Sequence, residues 1–337
     1  MNNRPDHYGY QDSIKPAWDA YWRDGRISAC REDERGLYRG AIGAFWRAYF
    51  ERCGDGERIL DLATGNGALL HLAAGIFGQR VSRVVCIGTD RARIQPAVPQ
   101  IADLQENLSV HLLGMIANEA LPFGERTFDR IISQYGVEYG DLPRTINEAH
   151  RILQPGGEIC WLCHWRAGHI ADSARREAKI ARRLLELDLQ DCIARLLRRQ
   201  IADGAFLPDS HRLTSDSPER KELNKRLNEA FAMVSREGFG QDSNLSIYLH
   251  NLAYLYQHRE QYTPDLVLSK IMEVGEQLAF HACRIEALYS SALNEESIRS
   301  IESELISRKF NILEMRPFVD TLDGKTVGYL INARLVP

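Results

Sequence analysis

Residues 58–70 run Arg-Ile-Leu-Asp-Leu-Ala-Thr-Gly-Asn-Gly-Ala-Leu-Leu: an apolar stretch ending in an acid, a loop of small residues, then a second apolar stretch. That order describes a buried strand, a tight turn and the first turn of a helix. Gly65 and Gly67 carry no Cβ, so the backbone can enter conformations closed to other residues and a ligand can approach the amides directly. Asp61 stands at the strand end, an anionic acceptor facing the crevice in which open α/β sheets hold their ligands. A dinucleotide fingerprint, Gly-x-Gly-x-x-Gly, requires a third glycine where the helix packs on the strand, and position 70 is Leu. An ordinary strand-to-helix turn is the plain alternative, because Gly and Asn favour turns.

Outward from this unit, Val84–Gly88 forms a second predicted strand, ending at Thr89-Asp90, and Leu108–Leu113, Arg130–Ser133 and Glu158–His164 form three more. Residues 67–77 suit a crossover helix, so the strand-helix-strand spacing predicts right-handed parallel connections. Asp141–Leu153 reads as a helix closed by Gln154-Pro155-Gly156-Gly157. Near the chain end, Asn294–Arg308 is a predicted helix with an Asn cap and acids in its first turn. Phe310–Val319 and Thr326–Arg334 then flank Thr321-Leu322-Asp323-Gly324-Lys325, a hairpin signal containing Asp-Gly.

Two further regions are helical. Residues 14–52 space Trp18, Tyr21, Trp22, Tyr38, Trp46 and Tyr49 at helical intervals. Residues 170–293 are too long for a loop, and Ser217-Pro218 and Thr263-Pro264 place a capping hydroxyl before a proline at the first helical position. The expected organisation is an N-terminal helical segment at 1–54, a nucleoside-binding core at 55–169 and 294–337, and a helical insertion at 170–293 that caps the carboxyl ends of the strands.

With 337 residues, 44% hydrophobic content and 26% charged, the chain has the composition of a folded globular protein with a sizeable core. A net charge of −4 gives no global electrostatic reason for a nucleic-acid partner. The N-terminus lacks a signal-peptide pattern and no segment is long and apolar enough for a membrane span, so the expected compartment is the cytoplasm, away from membranes. Seven scattered cysteines fit reduced thiols there. The close pair Cys160 and Cys163 sits in an apolar strand whose alternation sends the two to opposite faces, so no metal site is expected.

Asp61, the Ala63-Thr64-Gly65-Asn66-Gly67 loop, Leu121-Pro122-Phe123 with Phe128-Asp129, and Arg151-Ile-Leu-Gln-Pro-Gly-Gly157 together resemble the signatures of the class I S-adenosylmethionine (SAM) methyltransferases, of the type 11/25 kind. Ala63 replaces the first glycine of that family's loop pattern. The resemblance covers about 55–165 and 294–335 and implies a Rossmann-like, doubly wound α/β sheet of seven strands, the last antiparallel. It also implies SAM as cofactor and S-adenosylhomocysteine as product.

For the site, the resemblance points to Asp61, Ala63, Thr64, Gly65 and Gly67 near the amino-acid part of the cofactor, Asp90 at the ribose, Arg91 beside it among the cofactor-binding residues, and Gln134 and Tyr135 along the cofactor and acceptor. The family's acid after strand three is Ala117 here, leaving Asn118 or Glu119 for adenine. Aromatic faces can stabilise a sulfonium, and Tyr8, Tyr10, Trp18, Tyr21 and Trp22 are candidates to close over it. Asp90 has a local alternative as a helix cap before Arg91-Ala92-Arg93.

His164, at the end of strand five, is the candidate base for a hydroxyl acceptor, with packing between Cys163 and Trp165 as its alternative, and Tyr139 is the second candidate catalytic residue. His250, His258, Tyr248, Tyr254, Tyr256 and Tyr262 could line an acceptor pocket or simply pack the insertion. The arginine-rich run from Arg175 to Arg199 is interleaved with acids at helix-pairing distances, which describes a solvated face.

The expected function is methyl transfer to the oxygen, nitrogen or carbon of a small metabolite, with a homodimer left open. The absence of an Asn/Asp-Pro-Pro-Tyr/Phe motif and of a Pro-Cys nucleophile argues against nucleic-acid acceptors. Two alternatives are a protein or RNA methyltransferase docking its substrate on the insertion, and a non-catalytic SAM-binding regulator.

Overall fold

A computed structural model describes residues 7–29, 38, 40–78, 83–95, 108–204, 206, 217–321 and 323–337, with the side chains of 7–13 outside that description. Tyr8 and Tyr10 therefore have a place in the first helix, but their side chains lie outside the described residues, as does Leu322 of the hairpin turn. The chain divides into two compact units, one formed by 1–173 and 287–337, the other by 174–286.

The first unit is built on seven strands, β1 (Arg58–Leu62), β2 (Val84–Thr89), β3 (Leu108–Leu113), β4 (Phe128–Gln134), β5 (Leu153–Cys163), β6 (Phe310–Val319) and β7 (Thr326–Leu335). Their order in the sheet is β3-β2-β1-β4-β5-β7-β6. The first five are mutually parallel, and β7 runs antiparallel to both β5 and β6. The order reverses between β1 and β4, the switch point where such sheets bind ligands outside the carboxyl ends of their strands.

Period-two alternation explains why both faces are apolar. Ile59, Ile132, Cys160, Leu162 and Leu330 face one side, where they meet Trp46, Tyr49 and Phe50 of α2 (Gly40–Glu51) and the apolar surface of α3 (Ala68–Phe77). Leu60, Ile131, Trp161, Cys163 and Ile331 face the other, against α4 (Leu142–Ile152) and α10 (Glu295–Ser307). Cys160 and Cys163 thus lie on opposite faces, both buried and unpaired. Phe310 and Phe318 share parity yet face opposite cores, because the register shift between Ile312 and Glu314 flips the face of β6.

Local chemistry sets the boundaries. Asp141 caps α4 by accepting from the Arg144 amide at 3.1 Å, and Asn294 caps α10 by accepting from Ser297 N at 2.9 Å. The helix before β5 ends at Ile152, one residue before the predicted boundary, because Leu153 pairs with Phe128 of β4. Gln154–Gly157 then loops out before pairing resumes at Glu158, with Gly156 at φ 82° supplying the turn. At the hairpin, Asp320 N donates to Lys325 O at 2.8 Å, and Gly324 takes φ 68°.

The first unit also contains α1 (His7–Arg23) and the ends of α5 (His169–Glu186) and α9 (Pro264–Ser291). The second unit holds the remainder of those two helices with α6 (Leu189–Ala202), α7 (Pro218–Arg236) and α8 (Asn244–Gln257). Ser217 and Ser243 cap α7 and α8 through Arg220 N at 3.3 Å and Ser246 N at 3.2 Å. The buried His281 ring bonds Glu177 at 2.8 Å, and Tyr248 donates to Gln190 at 3.1 Å.

Candidate functional site

The carboxyl ends of β1, β2, β4 and β5 carry Asp61, Asp90, Tyr135 and His164, all within one or two residues of their strands. Asp61 is almost fully buried, and one of its oxygens accepts the Thr64 hydroxyl at 2.6 Å. Burial pushes its pKa up to about 8, with the Thr64 hydroxyl opposing and the charge of Asp90 adding to the rise. Asp90 accepts from Gly65 N at 2.8 Å and from Ala92 N at 2.7 Å. Burial raises its pKa to about 6 in spite of those two bonds.

The glycine loop is closed on itself and on α1. The Gly65 amide is committed to Asp90, and a Cβ at Gly65 would come within 2.5 Å of the Trp22 indole. Gly65, at φ 56°, therefore makes room for Trp22 as well as for the turn. The Asn66 amide donates to Trp22 O at 2.9 Å and Arg26 O at 2.6 Å, which ties the loop to the end of α1. Asp19 of α1 accepts from Arg93 N at 2.6 Å and pairs with Lys15 at 2.7 Å.

Ala63 takes the left-handed conformation, φ 53°, that glycine adopts most easily. Its methyl group occupies the space in which a Cβ on Gly136 would lie, 2.4 Å away. The departure from glycine at 63 is thus matched by a glycine at 136.

A cleft of roughly 690 Å³, open to solvent, is lined by Ala63, Asp90, Arg91, Asn118, Tyr135 and Tyr139, with Glu119, Gly136 and Gly140 beside them. Trp18 and Trp22 of α1 stack with centroids 5.9 Å apart and line the same space, as do Ile14 and Lys15. Trp18 meets Tyr139 edge-on at 5.9 Å. Small-molecule sites are largely apolar with a few placed polar groups, and this lining has that character.

Of the residues expected at the cofactor, Ala63, Asp90, Arg91, Asn118 and Tyr135 line this cleft. Asp61, Thr64, Gly65 and Gly67 sit outside its lining, in the loop beside it. Gln134 faces the core instead, accepting a hydrogen bond from Trp46 Nε1. Glu119, the second adenine candidate, holds the Asp141 amide at 2.8 Å with one oxygen.

His164 is buried behind the aromatic wall rather than at its surface. The Tyr135 ring stacks on it at 4.2 Å and Tyr139 meets it edge-on at 6.0 Å. Tyr135 is itself held at φ 54°, with its amide donating to Leu162 O at 2.7 Å and its hydroxyl to Val327 O at 2.8 Å. Glu138, in the 3-10 turn Val137–Tyr139, accepts the His164 amide at 2.8 Å, and the same oxygen lies 2.8 Å from His164 Nδ1. The other carboxylate oxygen of Glu138 is buried without an N–H or O–H donor among the described residues. The sequence reading passed over Glu138; a carboxylate one residue before a cleft aromatic was its signal, but the partner lies 26 residues away.

Away from this cleft, His250 is bonded through Nδ1 to Ser246 O at 2.7 Å, and Tyr254 is exposed beside His258. The arginine-rich run is largely paired, Arg182 with Glu286, Arg183 with Glu186 and Arg199 with Glu219.

Residues 59–157 match the family model described as a methyltransferase domain. This segment is a methyltransferase domain. A demethylmenaquinone methyltransferase of Thermus thermophilus is 33% identical over 104 residues, 31% of this chain and 45% of its own. A ubiquinone/menaquinone biosynthesis C-methyltransferase of Haemophilus ducreyi is 28% identical over 130 residues, 35% of this chain and 46% of its own. The chain therefore spans less than half the length of either relative.

A solved 1,6-didemethyltoxoflavin-N1-methyltransferase of Burkholderia thailandensis aligns over 100% of the chain and 93% of its own at 11% identity, with a TM-score of 0.46. The strand order and the antiparallel β7 give the methyltransferase domain the class I, Rossmann-like fold that the resemblance implied. The link between two of its signatures is physical. Arg151 donates to Leu121 O at 3.0 Å and Phe123 O at 2.7 Å, while Glu148 accepts Leu121 N at 2.8 Å. Among the described residues, no helix is long and apolar enough to cross a membrane.

Proposed function

We propose that the chain uses SAM to methylate a small molecule carrying an apolar ring. The observation that carries this reading is the single cleft joining Asp90, Asn118 and an aromatic wall, with the Glu138–His164 pair immediately behind it.

The residues present fit a nucleoside bearing a cationic sulfur. Asp90 has lone pairs left after two amide bonds and can accept ribose hydroxyls, and Asn118, in the same cleft, carries the amide donor and acceptor that a base edge needs. Asp61 and Asp90 are acids held up by desolvation, so a cationic ligand offsets the cost of ionising them. The faces of Trp18, Tyr135 and Tyr139 suit a sulfonium and a flat acceptor alike. When bound, SAM supplies an electrophilic methyl group, and the protein's part is to align an acceptor and remove its proton. His164 is the base in this reading. The names of the two curated relatives, both from quinone methylation, support a ring-bearing acceptor.

Incubating the protein with SAM and a panel of hydroxylated aromatic rings should release S-adenosylhomocysteine. His164→Ala should lower that rate by about 10²–10⁴ with SAM affinity unchanged. A rate equal to that of the unaltered protein would remove His164 as the base.

A further inference from the structure

We infer that Glu138 is a positioning residue that holds His164 in a single tautomer, with the proton on Nδ1 and the Nε2 lone pair free to take a proton from an acceptor hydroxyl. The proposal rests on the methyl-transfer reading above and narrows its acceptor to one with an ionisable hydroxyl, such as a phenol or an enol.

The geometry makes one assignment of protons at this pair. Glu138 Oε1 already accepts the His164 amide, and it lies 2.8 Å from Nδ1. An ionised carboxylate is an acceptor only, so Nδ1 must be the donor. In a neutral imidazole that leaves Nε2 as the acceptor. The two bonds to one oxygen fix the ring against its own backbone, so Glu138 sets orientation as well as tautomer.

The surroundings favour a working pair over a packed one. Glu138 is buried, and among the described residues only the Cys163 thiol engages its carboxylate beyond the His164 contacts, leaving an oxygen without an N–H or O–H donor, an arrangement that costs stability when it does no more than fill space. The remaining titratable groups at the ring are Tyr135 and Tyr139, with the Cys163 thiol facing Glu138, its pKa driven well up by burial and by the Glu138 charge. Both tyrosines line the cleft, and the pair lies directly behind them.

In the step assigned here, the acceptor O–H bond breaks and an Nε2–H bond forms, while the electron pair left on oxygen forms the O–CH3 bond as the S–CH3 bond of SAM breaks, its electron pair staying on sulfur in S-adenosylhomocysteine. The imidazolium, stabilised by the Glu138 carboxylate, then returns its proton to water. An acceptor that is already nucleophilic without losing a proton would make no use of this pair.

Nitrogen NMR of the His164 ring in the unaltered protein reads the tautomer without any activity. The expected result is protonated Nδ1 and unprotonated Nε2 at alkaline pH. Glu138→Gln should erase that preference. It should also lower kcat at least about tenfold and leave SAM affinity within about twofold. Glu138→Asp should restore part of the rate. A ring protonated at Nε2 in the unaltered protein, or a Glu138→Gln protein with unchanged tautomer and kcat, would overturn the assignment. Absence of SAM binding with the expected tautomer present would instead sink the methyl-transfer reading alone.

Discussion

In the sheet unit, Asp61, Asp90, Glu138 and His164 are nearly sealed from water and two of the acids sit far above their usual pKa. In the helical unit, Arg182, Arg183, Arg199 and Arg226 pair with Glu286, Glu186, Glu219 and Glu222 on wetted helix faces. The first arrangement stores unfavourable electrostatics that a ligand can relieve, and the second neutralises charge where water already screens it. Desolvated, strained groups gather at working sites because stability alone would not select them. Ala63 and Tyr135, both at positive φ beside the cleft, follow the same rule.

The contrast can be broken most forcefully in the core. Trp46, fully buried and bonded to Gln134, should cost about 3–5 kcal/mol on replacement by Ala, read by urea unfolding. Tyr254 of α8, 48% exposed, should cost no more than about 0.5 kcal/mol. Similar losses at the two would mean that the sheet unit does not carry the fold.

The stored charge at Asp61 has a pH signature. Its folded pKa of about 8 exceeds the unfolded value of 3.8, so the folded state binds the extra proton and stability is greatest at low pH. As pH rises from about 4 to about 8, stability should fall by up to about 1.4 kcal/mol per unit from this group. Asp61→Asn should match the unaltered protein near pH 4 and be the more stable of the two near pH 8. Parallel curves for the two proteins across that range would show that Asp61 is not desolvated.

Smaller effects follow at the cofactor acid and at the surface pairs. Asp90→Ala should weaken SAM binding about 10- to 100-fold, through lost hydrogen bonds and a looser Gly65 turn, as read by calorimetry. Arg182→Ala should shift unfolding by less than about 1 kcal/mol and leave SAM affinity alone. A large effect of Arg182 on binding would give the helical unit's charges a role that its pairing does not suggest.

Much of the sheet unit was legible because its signals are local. β3 and β6 run as their alternation and turns predicted, and Asn294 and Ser217 cap the helices they precede. The place of a residue was legible where it follows closely after a strand, as at Asp90 and Asn118, both of which line the cleft. It was not legible where the role belongs to a pair distant in sequence. Trp22 on Gly65, Gly136 against Ala63 and Glu138 on His164 are each fixed by the fold, and only the structure joins them. Gln134 shows the opposite failure, since strand parity one residue from the cleft turns it into the core.

Whether the cleft beside Asp90 holds SAM is read by isothermal titration of the folded protein with SAM, with one saturable site per chain that Asp90→Ala weakens as the expected result. No detectable binding, or binding that Asp90→Ala leaves unchanged, would contradict it.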